Sequence, residues 1–264
     1  MGIYFVENHV QIVRYAFFIF AITIPVSLFI GSAYGRYRLR KDEKVIVGDA
    51  LEKAIYGLTA LILGFTFFTA IDHYNHRTEN IRNEALSLSR VYNATKYLTA
   101  DDQITAKKYL NDIVTARLDV YKDVVKLEDL DRHIDSEEHQ LEKFREFITQ
   151  SIARAPANTL ESAKLILGRQ LQQMTDAFSV HQLSAKNHPS FLVERFLFAN
   201  LIVGSMLCGY SMTVRKQEDW LLAALYLALL LFLIYIILCL EFPNMLMDFN
   251  IFNRELLRFQ KLVQ

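Results

Sequence analysis

Charge-free windows punctuate this chain at residues 15–35, 54–71, 196–214 and 220–240, each apolar on every face of a helix rather than along one stripe. A hydrocarbon core about 30 Å thick takes roughly 20 helical residues to cross. A surface helix of a soluble protein shows a single apolar stripe instead. The pattern therefore predicts four transmembrane helices. A cleaved leader is the alternative reading of the first window, with Gly31, Ser32 and Ala33 as a small-residue cleavage site. Against it, the preceding segment is short of the positive charge a leader carries, and the apolar run is longer than a leader's.

Between the second and third windows the period changes. No proline or glycine occurs from residue 72 to 153, so long uninterrupted helices are expected. Nothing breaks the second helix before LTADD at 98–102, which predicts one helix from about Ala54 to about Tyr97, roughly 65 Å long at 1.5 Å per residue. Past the membrane its stripe is Ile81, Ala85, Leu88, Tyr92 and Thr95, at alternating intervals of four and three. The next helix, over about 104–125, carries Leu110, Ile113, Val114, Arg117, Leu118, Tyr121 and Val125 on one face. A third starts at an Asp135 or Ser136 cap and stops before Pro156; a fourth starts at an Asn158 cap and shows Leu160, Ala163, Leu167, Leu171, Met174 and Phe178. Such stripes pack into an antiparallel bundle. Pro189, in AKNHPS, marks the hinge back to the membrane. The expected fold is an all-α membrane protein, with four transmembrane helices plus a long-helix extramembrane bundle. Residues 1–72 form one transmembrane hairpin, 73–190 the bundle, 191–241 a second hairpin and 242–264 a tail.

Composition adds exclusions. Lys plus Arg and Asp plus Glu both number 29, so no basic footprint points to nucleic acid. A hydrophobic fraction of 52%, with 19 Phe and 13 Tyr, excludes a disordered chain. Cys208 and Cys239 both fall in apolar windows; they make no disulfide framework, are too few for a thiolate zinc site, and read as small packing residues. Arg36, Arg38, Arg40, Lys41, Lys44, Lys53, Arg215 and Lys216 flank the two short loops, against Arg14, Arg77, Arg82, Lys186, Arg195 and Arg254 near the opposite ends. That bias puts the short loops in the cytoplasm of a bacterial inner membrane and the bundle on the periplasmic side.

No Gly-rich phosphate loop, nucleophile elbow or H-E-x-x-H occurs, so no catalytic residue, cofactor or resident metal is expected and the chain does not read as an enzyme. His133, His139, His181 and His188 read as solvated side chains, Asp129 and Asp131 as a loop, and SEEH at 136–139 as the acidic first turn of a helix. The concentrated cluster is DHYNHR, residues 72–77, directly after the second window. His73 and His76 share a helix face, and Asp72 and Glu79 could complete a metal-ligand set. The same groups could relay protons. Alternatively, this is where a helix leaves the bilayer, with Tyr74 and Arg77 as interfacial anchors. Upstream, Gly57, Leu61, Phe65, Phe68 and Asp72 form one stripe at intervals of four, four, three and four. In a ring of such helices the stripe would line a pore, with Leu61, Phe65 and Phe68 as an apolar constriction that gates by dewetting and His73, His76 and Arg77 at the mouth. Packed against neighbouring helices, it would be ordinary core, and Gly57 and Gly64 suit close helix contact.

These residues resemble the bestrophin-like bacterial membrane proteins, a family long labelled as a domain of unknown function. The resemblance rests on LTALILGFTFFTAIDHYNHRTENIRNEALSLSRVY at 58–92, with its Phe65, Thr66, Phe67 stretch followed by Asp72, Tyr74, Arg77 and the Glu84, Ala85 pair. It continues through YLNDIVTARLDVY at 109–121, the Pro189 entry to the third span, and Phe242 and Pro243 in CLEFPN. His73 and His76 depart from the pattern, which commonly has arginines there. The resemblance implies a homo-oligomer in the lipid bilayer, pentameric and conducting inorganic ions, with the LGF stretch at 63–65 on the pore-lining helix. Anions are the implied cargo, although a ring of Asp72 carboxylates would favour cations. The alternative is a non-conducting sensor or scaffold whose bundle binds a ligand or a partner protein.

Overall fold

The computed structural model describes residues 9–41, 49–120, 127–186, 191–216 and 219–264; the Pro189 hinge, His188, Lys44, and Tyr121 and Val125 at the end of the helix expected over 104–125 lie outside the described residues. The elements are α1 (His9–Lys41), α2 (Asp49–Ala94), α3 (Ala100–Asp119), α4 (Leu127–Ala153) and a short α5 (Leu160–Ser162) that runs through a π turn (Ala163–Leu167) into α6 (Gly168–Lys186). They continue with α7 (Phe191–Val214), α8 (Trp220–Glu241), α9 (Pro243–Leu246), α10 (Phe249–Phe252) and α11 (Arg254–Val263). No strand occurs among the described residues. Helices α1, α2, α7 and α8 each contain a stretch long and apolar enough to cross a membrane. The protein is an all-α membrane protein with four spanning helices.

The chain divides into two compact units: Ile12–His73 with His188–Phe242, and Met1–Gln11 with Tyr74–Asn187 and Pro243–Gln264. Helix α2 contributes to both. Its 46 residues make about 69 Å of unbroken helix at 1.5 Å per residue.

In the first unit, Ile24, Leu63, Leu197, Leu201 and Ile234 form a core drawn from all four spans. Lipid tails are as apolar as these side chains, so close backbone approach and interhelical hydrogen bonds must hold the helices together. Small residues recur every fourth position on two facing helices: Ser27, Gly31 and Gly35 on α1, and Ser205, Gly209 and Thr213 on α7. A methyl group at Gly31 would run into the Met206 carbonyl, and one at Gly209 into that of Leu28. Across this seam Ser205 Oγ donates to the Ile24 carbonyl at 2.7 Å, and the Ser32 and Thr213 hydroxyls bond at 2.8 Å. Asn200 Nδ2 donates to Thr59 Oγ1 at 3.0 Å, tying α7 to α2. Gly57 and Gly64 have nothing within 4 Å of an added Cβ, so neither makes a close contact inside the chain.

In the second unit, α3 starts earlier than its apolar stripe suggests. Thr99 caps it, with Oγ1 accepting from the Asp102 N–H at 3.3 Å and donating to Asp102 Oδ2 at 2.9 Å. Helix α4 is already formed at Leu127, not first at an Asp135 or Ser136 cap. Leu130 and Ile134 are buried, and their stripe continues to Leu141, Phe144 and Ile148, so the stretch around Asp129 and Asp131 is helix where the acidic pair suggests a loop. Asn158 is not the cap of α5; that position belongs to Thr159, whose hydroxyl donates to the Tyr97 carbonyl at 2.8 Å. The C-terminal segment is more than a tail: Phe252, Leu256, Phe259 and Val263 enter the bundle core, and the Tyr92 and Phe259 rings meet edge to face at 6.3 Å.

Candidate functional site

The stripe on α2 is exposed from end to end: Gly57 and Asp72 are exposed, and Leu61, Phe65 and Phe68 are 55%, 65% and 70% accessible. Thr59, Leu63 and Ala70, on the opposite side of the same helix, are buried. The stripe is therefore not core within this chain. Among the described residues nothing of this chain covers it. Helix α8 also exposes large apolar residues such as Leu221, Leu229 and Phe232, but that helix is apolar throughout, whereas the α2 stripe ends in an exposed carboxylate.

Within DHYNHR the two histidines have different surroundings. His73 turns to α8, its Nδ1 lying 2.9 and 3.1 Å from the two carboxylate oxygens of buried Glu241. His76 is exposed. Tyr74 packs on Phe252, ring centroids 5.8 Å apart. The two histidines so differ in surroundings that a shared metal centre has no geometric support, and among the described residues no group of three or more His, Cys, Asp or Glu side chains is arranged to hold a metal ion.

A second set of groups lies in the bundle. Glu84 on α2, Arg117 on α3, Glu137 on α4 and His181 on α6 meet in its core, at 0%, 1%, 0% and 7% exposure. Arg117 Nε donates to Glu84 Oε2 at 2.8 Å and sits 3.8 Å from Glu137 Oε1. Arg117 Nη2 lies 3.2 Å from His181 Nδ1. The guanidinium can only donate, so in this contact Nδ1 accepts, and Glu84 Oε1 approaches the same nitrogen at 3.4 Å. Glu84 Oε1 and both oxygens of Glu137 have no hydrogen-bond partner. Glu84 lies well beyond the uncharged window of α2 and inside the bundle.

Burial dominates the electrostatics of this cluster. It pushes Glu137 up to about 8 and Glu84 up to about 7, against the opposing pull of Arg117. Desolvation, then the Arg117 and Arg77 charges, holds His181 well below the usual imidazole range. One guanidinium thus faces two carboxylates and a neutral imidazole in a dry core. With both carboxylates ionised the quartet carries net negative charge, and one proton makes it neutral.

His181 is thus buried where the sequence suggests a solvated side chain, and Glu137 is core where SEEH suggests an exposed first turn. The cause is register. His181 follows Leu171, Met174 and Phe178 on the α6 stripe, and Glu137 falls between Ile134 and Leu141 on that of α4. Glu84 and Arg117 hold corresponding places between Ile81 and Leu88 and between Ile113 and Leu118. An ionisable residue standing in an apolar stripe is the signal that identifies all four.

No protein-family model matches the sequence, and no curated protein matches it. Solved structures do. Two variants of a bacterial bestrophin homologue from Klebsiella pneumoniae superpose with TM-scores of 0.69 and 0.70, each at 11% identity, covering 92% of this chain and 99% of that one. A structure described as a membrane protein superposes at 0.67, with 11% identity over 91% and 98% of the two chains. Likeness of this extent at so low an identity establishes the architecture: the chain has a bestrophin-like fold.

Proposed function

We propose that copies of this chain assemble around α2 to form an ion channel. The observation that carries the reading is the exposed stripe of Leu61, Phe65 and Phe68 leading to exposed Asp72. A ring of bulky apolar side chains at the axis of an oligomer expels water and so closes or narrows a pore. Asp72, with His73, His76 and Arg77 following it in sequence, would set the charge at the mouth. The sequence resemblance to the bestrophin-like family implies α2 as the pore-lining helix, five copies and an anionic cargo, and the likeness to bestrophin homologue structures supports a fold of that kind. The lysine and arginine bias of the short loops supports a bacterial inner membrane with the bundle on the periplasmic side.

Planar-bilayer recording of the purified protein tests this. Conductance is expected, and Phe65→Ala or Phe68→Ala should raise it several-fold by widening the constriction. Reversal potentials in asymmetric salt decide between the anion preference the resemblance implies and the cation preference a carboxylate ring would impose. Absence of any current from wild type and both variants would end the channel reading and leave the non-conducting sensor or scaffold.

A further inference from the structure

The buried quartet is unlike a structural ion pair. A single charge-balanced pair needs one carboxylate for its guanidinium, and Glu84 already supplies it at 2.8 Å. Glu137 is the surplus: it is fully buried, neither oxygen has a hydrogen-bond partner, and the shared cation stands 3.8 Å away. An isolated ionised carboxylate in such a place costs several kcal/mol, and protonation removes that cost. The groups facing it are Glu84 from α2, Arg117 from α3, the neighbouring Glu138 on α4 itself and the Gln182 amide from α6, while His181 beside them faces Arg117 and Arg77. The cation at its centre argues against a metal ion as the missing partner. A proton fits.

We propose that Glu84, Arg117, Glu137 and His181 form a proton-binding site, in which one proton shared between the two carboxylates keeps α4 packed into the bundle and its loss, as pH rises, loosens α4. The looseness falls on α4 because Glu137, not Glu84, lacks the hydrogen-bonded cation. The device is independent of whether the chain conducts.

The sign follows from linkage. A carboxyl held protonated in the folded bundle stabilises it fully below the ordinary carboxylate range, near pH 4.5, and that stability is lost as pH rises through the raised folded value. His181 works oppositely: its contribution is present above its ordinary pKa of 6.5 and is lost as pH falls below that. Comparison with Glu137→Gln, which keeps the shape and removes the titration, isolates the proposed proton. Amide hydrogen exchange of α4, in full-length protein in detergent micelles and corrected for intrinsic rates, gives the opening constants. The ratio of wild-type to Glu137→Gln opening should grow about tenfold per pH unit between about pH 5 and 8. A ratio that stays constant over that range overturns the proposal. Should Glu137→Gln not fold, infrared spectra of wild type decide: a buried carboxylic acid C=O band present at pH 6 and lost by pH 9 supports the site, and its absence at pH 6 refutes it.

Discussion

Replacing Arg117 with Met keeps a long side chain in the bundle core and removes the only guanidinium that the quartet shares. In the folded protein this group donates to Glu84 at 2.8 Å and to His181 at 3.2 Å and stands 3.8 Å from Glu137. Without it two fully buried carboxylates face each other with no cation between them. Breaking a buried pair in this way costs about 3–5 kcal/mol. That corresponds to roughly two to nearly four powers of ten in an opening constant. Amide exchange of α3 and α4 in detergent at pH 7 reads it directly. The deficit should shrink in acid, because both orphaned carboxyls escape their penalty by protonating: each additional proton bound by the folded variant recovers up to about 1.4 kcal/mol per pH unit. Neutralising both carboxylates as well, in an Arg117→Met, Glu84→Gln, Glu137→Gln variant, should restore most of the loss and remove its pH dependence. A deficit below about 1 kcal/mol, or one unchanged from pH 7 to 5, would refute the view that Arg117 is the counter-charge of this core.

Three further outcomes are expected in the membrane-spanning unit. Gly209→Ala should destabilise the protein by about 1–3 kcal/mol or more in thermal unfolding, since the added methyl meets the Leu28 backbone carbonyl and α1 must separate from α7. Gly57→Ala, with open space around it in the chain, should be neutral or stabilise by up to about 1 kcal/mol. His73→Ala should weaken the fold through loss of its bond to Glu241, and a double-mutant cycle with Glu241→Gln should return a coupling of about 1.5–3 kcal/mol; a coupling near zero would mean that the 2.9 Å contact contributes nothing.

Spanning helices were legible because their determinants are local. Inside lipid every backbone amide must be satisfied within its own helix, so a run of apolar residues of sufficient length both needs and specifies a helix. The bundle stripes were legible for a similar reason, since a period near 3.6 is a property of one segment. Even the buried quartet left a trace, each member interrupting an apolar stripe. Helix starts were less legible: the acidic residues near Asp129 suggested a loop, while the buried Leu130 and Ile134 that keep the segment helical acquire their weight only from the core they enter.

Partnership was the part that no local pattern carried. Arg117 finds Glu84 across 33 positions and His181 across 64, and His73 finds Glu241 across 168. Glycine shows the same division: Gly31, Gly57, Gly64 and Gly209 look alike in sequence, yet only Gly31 and Gly209 lie where two helices approach backbone to backbone. By itself the sequence determined which segments are helices and which faces avoid water, because hydrogen bonding within a helix and side-chain periodicity are set within each segment. The tertiary structure alone decided which buried charges share a dry core and which small residues meet another backbone. Those outcomes depend on how separate helices cross, and the energy of a charge or a close contact exists only once its partner is in place.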